Sequence, residues 1–233
     1  MSYCISSRSP TVLPCIDLRD FKPSCVTVIE GSSSLVPDVL FRLCAASVVS
    51  LNKDAVFVDG GNSFNPYALS KLAKSFGAEP RKVLSRIHVA RAFSEYQMDA
   101  LLGEALCEAV ESWNPAVLAI SYLPSLFSSS DGRRIFEPIL ERIKSLTASS
   151  GIITVITSFG GSWYGDRLLA TMADHIVRIE QPSKNLIKIT DNGRVFEYMP
   201  VPSGQMRFTD FMNLDFTGCD AYGQDCAELS QPA

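Results

Sequence analysis

The chain has 233 residues, 46% of them apolar and 20% charged, with Lys+Arg 21 against Asp+Glu 25 and a formal net charge of -4. That length suits one domain, or one domain with a tail, able to bury about 70% of the surface its unfolded chain exposes. The aliphatic content excludes a disordered chain, 14 Gly and 13 Pro exclude a collagen-like one, and a pI near 5.3 excludes a strongly basic nucleic-acid coat.

Residues 1–24 carry Pro10, Pro14 and Pro23 and read as a lead-in with one short strand from Thr11 to Ile16. The first firm strand is predicted over residues 25–30, β-branched and apolar, closed by Gly31-Ser32-Ser33-Ser34. A helix over 37–51 follows from the spacing of Val39, Leu40, Leu43, Cys44 and Val48, with Pro37 in its first turn. A buried strand over 55–59 ends in Gly60-Gly61-Asn62. The pattern then gives a helix over 65–76 stopped by Gly77, a short turn around 81–85, a strand over 87–91 and a single helix over 97–113. Next come a strand over 116–121, a helix over 135–149 and a strand over 152–157 of the kind buried on both faces. Beyond these, a short helix over 168–175 precedes strands over 176–180, 186–190 and 195–199, the last two joined by an Asp191-Asn192-Gly193 turn. Residues 205–233 are polar, carry Asp210, Asp215, Asp220 and Asp225, and read as a loosely held tail after a core of residues 25–204.

This alternation implies an α/β fold, a mostly parallel sheet with helices on both faces and a small antiparallel C-terminal extension. Ligands in such folds sit beyond the carboxyl ends of the strands. The longest nearly apolar stretch, residues 115–127, is broken by Ser121 and Pro124 and falls short of the roughly 20 residues a membrane-spanning helix needs. The N-terminus lacks the basic start and apolar run of a signal peptide, so a cytoplasmic protein without a membrane partner is expected. Seven cysteines without a Cys-x-x-Cys pair, and only two histidines, predict reduced structural thiols and no metal site.

The segments Asp59-Gly60-Gly61-Asn62-Ser63-Phe64, Val89-Ala90-Arg91-Ala92-Phe93 and Tyr96-Gln97-Met98-Asp99-Ala100-Leu101-Leu102, in this order, resemble the ATPase core of the archaeal and eukaryotic RadA-type recombinases, a branch of the RecA superfamily. The likeness runs, more loosely, from about Val26 to Met199 and implies a RecA-like core without the N-terminal helical domain of the full recombinases. Such an ATPase needs a loop G-x-x-x-x-G-K-[ST], whose amides wrap the phosphates, whose Lys neutralises them and whose hydroxyl holds magnesium. In the corresponding segment only Gly31 remains: Val36 replaces a glycine, Pro37 the lysine and Asp38 the hydroxyl residue. By the same resemblance the acid that polarises the attacking water falls at Gly61, the magnesium-supporting Asp at Ser121 and the phosphate-sensing Gln at Phe159. Asp59 remains, in a structural or solvated role.

The resemblance therefore implies a pseudo-ATPase with a degenerate Walker A loop, no catalytic residue and no cofactor, ATP and magnesium not being expected. The implied role is that of an accessory factor in homologous recombination or DNA repair, with a RadA-type recombinase or another paralogue as partner and single-stranded DNA as a further one. Two DNA-facing loops correspond to residues 128–134, with Arg133 and Arg134, and 160–167, with Trp163, Tyr164 and Arg167. Each has a plainer reading: the arginines as an exposed helix start pairing with Glu137, the aromatics packed on the sheet edge. His88 reads as a core histidine and His175 as a helix C-terminal residue. Two alternatives stand beside the accessory role: a weakly hydrolysing ATPase with an altered phosphate loop, and a KaiC-like regulatory interaction module unrelated to DNA.

Overall fold

A computed structural model describes residues 16–127, 130–161, 164–183 and 186–199, without the side chains of 130 and 131. The expected strand near Thr11, Trp163 and the tail of 205–233 lie outside these residues.

Eight strands form one sheet: β1 Val26–Glu30, β2 Ala55–Asp59, β3 Ile87–Arg91, β4 Val117–Ser121, β5 Ile153–Ser158, β6 His175–Ser183, β7 Leu186–Asp191 and β8 Arg194–Tyr198, in the order β3-β2-β4-β5-β1-β6-β7-β8. The first six strands across the sheet are parallel, β1 lying between β5 and β6, and β7 and β8 continue it antiparallel. The fold is the expected α/β arrangement, consistent with a RecA-like core. Strands β1, β2, β4 and β5 are buried along their whole length, which is why they read as continuous apolar runs rather than alternating ones.

Successive residues of each strand feed opposite faces. Ile29, Phe57 and Val155 pack with Val39 and Leu40 of α1 Leu35–Ser50, Leu69 and Leu72 of α2 Pro66–Ser75, and Val83 of α3 Pro80–Leu84. Val28, Val58 and Ile156 pack on the other side with Met98 of α4 Glu95–Ala100, Leu106 and Val110 of α5 Leu106–Trp113, Phe136 and Ile139 of α6 Ser130–Ser150, and Leu169 of α7 Tyr164–Met172. Cys44 lies in the first core, where burial pushes its thiol up to about 12, so it packs as an inert hydrophobe.

Four expectations need correction. The helix predicted over 97–113 is broken: a π-helical segment, Leu101–Ala105, separates α4 from α5, with Gly103 at φ −87°, ψ −130°. Glycine tolerates that non-helical backbone, and the unbroken apolar spacing of Met98, Leu102 and Leu106 hides it. The turn around 81–85 is a short helix started by Pro80. Helix α6 begins at Ser130, so Arg133 and Arg134 sit on a helix and not in a flexible loop, and Pro138 falls inside it. Helix α7 spans Tyr164–Met172, placing Tyr164 and Arg167 on a helix as well, while His175 opens strand β6 instead of closing a helix. There His175 Nε2 lies 2.5 Å from Asp191 Oδ1 of β7.

Candidate functional site

The loop Gly31–Ser34 joins the carboxyl end of β1 to α1. Its glycine is dictated by close approach: a Cβ on Gly31 would stand 2.3 Å from the carbonyl oxygen of Ile179 and 3.1 Å from Val36 Cγ2. Val36 is fully buried. Three amides at the loop and the start of α1 are engaged by the protein's own oxygens. Gly31 N–H donates to Ser158 O at 2.9 Å, Val36 N–H to Ser33 O at 3.0 Å and Leu35 N–H to Ser33 Oγ at 3.3 Å, while Pro37 has no N–H to offer. Ser33 Oγ in turn donates to Gln181 Oε1 at 3.0 Å, fastening the loop to β6. Asp38 lines a cavity between α1 and α2, and burial raises its carboxyl above the usual range.

Beside this loop Glu30, buried at the end of β1, accepts from Arg178 through Nη2 at 2.8 Å and Nε at 3.1 Å. Its side chain packs under Gly160, whose Cβ position is 3.3 Å from Glu30 Cβ. Residue spacing gives no hint of this pair, whose members are 148 apart in sequence and meet only because β1 and β6 are adjacent.

The second half of the site lies at the carboxyl ends of β2, β4 and β5, where the structure brings Gly61, Ser121 and Phe159 into one neighbourhood. Ser121 Oγ donates to Asp59 Oδ1 at 2.7 Å, and Gly61 N–H donates to Ser121 Oγ at 3.4 Å. The following residue, Tyr122, has left-handed backbone at φ 46° and turns its ring over Gly61. A Cβ on Gly61 would stand 2.6 Å from Tyr122 Cδ2 and 2.9 Å from Tyr122 Cβ. On Tyr122 rests Phe159, ring centroids 4.3 Å apart and planes inclined by 16°, with 54% of Phe159 exposed. Gly61, where the resemblance puts the water-polarising acid, is thus covered by the ring of Tyr122, and that ring by Phe159.

Asp59 is wholly buried and its carboxylate is fully committed. It accepts from Ser63 N–H at 2.9 Å, Phe64 N–H at 3.1 Å, Ser121 Oγ at 2.7 Å and Arg91 Nε at 2.9 Å. Burial pushes this carboxyl up, but the hydrogen bonds from Ser63, Ser121 and Phe64 and the Arg91 charge outweigh it and hold Asp59 below the usual carboxylate range. The group ties three parallel strands together at one rim, with no oxygen left over for a reacting water.

Of the residues suggested for DNA, the structure brings Arg133 and Tyr164 together: the guanidinium carbon stands 5.9 Å from the ring centroid, a cation–π contact between α6 and the first turn of α7. Arg134 and Arg167 are exposed on the same two helices. No ion pair joins either Arg133 or Arg134 to Glu137 among the described residues. His88 is half-buried near the other end of the sheet, its Nε2 2.8 Å from Asp54 Oδ2 and its ring stacked on Trp113 at 3.6 Å. Among the described residues no cluster of His, Cys, Asp and Glu could hold a metal ion, and no helix is long and apolar enough to cross a membrane.

Residues 42–133 match the Rad51 family model. The matched span runs from within α1 to the start of α6 and includes Asp59, Gly61, the Val89-Ala90-Arg91-Ala92-Phe93 stretch and Ser121. Together with the sheet, the match supports a place in the RecA/Rad51 superfamily and, in general terms, a recombination or repair role of the RecA-family kind.

Proposed function

We propose that this protein is a non-catalytic RadA-like paralogue, an accessory or regulatory factor in homologous recombination or DNA repair that works through protein contacts and through single-stranded DNA. The observation that carries this reading is the state of the phosphate loop: Gly31, Leu35 and Val36 N–H already donate to Ser158 and Ser33, and the position that the resemblance gives to the lysine is Pro37. A triphosphate at a helix N-terminus needs converging N–H groups and a compensating cation; here Leu35 and Val36 N–H are already engaged, and Pro37 brings neither an N–H nor a charge. The Tyr122–Phe159 stack over Gly61 supports the same conclusion for hydrolysis, since an attacking water there would have no carboxylate to polarise it. In this reading the chain needs no nucleotide, magnesium or other cofactor.

The partner we favour is a RadA-type recombinase or another paralogue. Strand β3 is an edge of the sheet, and along and just beyond it Val89, Phe93 and Tyr96 are exposed, Phe93 by 71%. An edge strand beside exposed aromatics suits an added segment of another protein. The Arg133–Tyr164 contact, with Arg134 and Arg167 exposed nearby in sequence, supplies the cation and stacking surface that single-stranded DNA uses.

The reading is tested by assaying ATP turnover of the purified protein, then the DNA binding of a RadA-type recombinase with and without it. We expect no turnover by the protein itself and a changed affinity of the recombinase for single-stranded DNA. Magnesium-dependent turnover that follows the protein through purification, or a recombinase indifferent to its presence, would contradict the proposal.

A further inference from the structure

A cavity of about 250 Å3 lies between α1 and α2, with Ile16 lining one side. It lies below the size of pockets that take drug-sized ligands, roughly 300–1,000 Å3, so its occupant would be smaller than a nucleotide. Leu35 and Val39 on α1, and Ala68 and Leu72 on α2, recur at four-residue spacing and line its apolar wall. Its charged side chains follow a second stripe, Asp38 and Arg42 on α1 with Lys71 on α2.

Asp38 and Arg42 are four apart on one helix, the spacing at which an acid and a base ordinarily pair. Here they do not pair. Among the described residues no ion pair or hydrogen bond engages the side chain of Asp38, and Arg42 is drawn over the ring of Phe76, its guanidinium carbon 5.7 Å from the centroid. Lys71 is likewise in no ion pair among the described residues. Burial raises the Asp38 carboxyl, so a cationic donor at that point would be rewarded. The cavity thus has a carboxylate lacking a donor, two cations lacking an anion, and an aliphatic wall. A ligand satisfying all three carries both charges on a compact head and one short apolar arm.

We propose that the cavity between α1 and α2 binds a free aliphatic α-amino acid, with its ammonium on Asp38, its carboxylate on Arg42 and Lys71, and its side chain against Leu35, Val39, Ala68 and Leu72. The site shares Leu35 and Asp38 with the phosphate-loop segment and so rests on the reading that this segment takes no nucleotide; amino-acid and ATP titrations fail independently, which keeps the two readings distinguishable. It gives the chain a small-molecule input on helices that flank the sheet, since α1 leads directly from the Gly31–Ser34 loop.

The test is calorimetric titration of the full chain with L-leucine, L-isoleucine and L-methionine, repeated with N-acetyl-L-leucine, which lacks the ammonium, and L-leucinamide, which lacks the carboxylate. Saturable binding of at least one free amino acid is expected, weakened about tenfold or more by either cap and by Asp38→Asn, the loss of one charge-assisted contact. Because the capped ligands are tested on the unaltered protein, the result does not hang on the variant folding. No saturation by any of the three up to about 10 mM, or capped forms binding as tightly as free ones, would overturn the proposal.

Discussion

The loop after β1 and the turn after β2 occupy comparable places, each at the carboxyl end of a central parallel strand, yet they have been closed in different ways. After β1 the closure is by backbone: Gly31, Leu35 and Val36 give their amides to the protein's own oxygens, and Val36 fills the space beside Gly31. After β2 it is by side chains: Asp59 is retained and saturated by Ser63, Phe64, Ser121 and Arg91, and Tyr122 with Phe159 covers Gly61. Two strand ends of one sheet can thus be filled by quite different means, one by main-chain donors and the other by a buried carboxylate and stacked rings. In the first region main-chain donors are spent on the protein's own oxygens, whereas in the second polar side chains tie three strands together.

Four substitutions test that contrast. The largest effect belongs to the side-chain half: Asp59→Ala strands Arg91 and the Ser63, Phe64 and Ser121 donors at a buried rim and should cost about 3–5 kcal/mol in urea unfolding. On the backbone half, Gly31→Ala drives a Cβ to 2.3 Å from the Ile179 carbonyl oxygen. Strand β6 must move to admit it, and a loss of about 1–3 kcal/mol is expected in the same measurement. Gly61→Glu, which puts back the acid that the family resemblance expects, should also destabilise by about 1–3 kcal/mol because of Tyr122, and should produce no ATP turnover. Phe159→Ala removes one partly exposed ring from a stacked pair and should cost only about 1 kcal/mol.

The two regions also differ in their response to pH. Asp59, with Asp54 and Asp174, is held below the usual carboxylate range, in each case by hydrogen bonds and a cation that outweigh burial. For a depressed carboxyl the stabilisation is fully present above the unfolded value near 3.9 and is lost as pH falls through the lower folded value. Unfolding free energy should therefore be level around neutrality and drop below about pH 4, and Asp59→Asn should flatten that drop. An acid limb as steep in Asp59→Asn as in the native protein would remove Asp59 from the account.

Much of the fold is legible in the sequence because its four central strands are buried on both faces, so that β-branched runs such as Thr154-Val155-Ile156-Thr157 stand out from their surroundings. The boundaries that escape are those that local apolar spacing does not mark. The helix expected over 135–149 begins earlier, at Ser130, and carries Pro138 inside it, the polar stretch before Ile135 offering no apolar period. Likewise the apolar spacing through Leu101 and Leu102 runs across the break at Gly103. At the candidate site the departures that the resemblance implies at Val36, Pro37, Asp38, Gly61, Ser121 and Phe159 are visible one by one in the sequence, yet the contacts these residues make are not. Tyr122 carries no sequence mark of its left-handed backbone, and the partners of Asp59 are 32 and 62 residues away in Arg91 and Ser121. A glycine followed at a later strand end by an aromatic is the one trace that could have pointed there.

The central claim is that this rim no longer receives a nucleotide, and calorimetric titration of the full chain with ATP and magnesium tests it most directly. The account predicts no saturable heat and no rise in melting temperature at millimolar nucleotide. Stoichiometric, magnesium-dependent binding that is lost on enlarging Gly31 would contradict it.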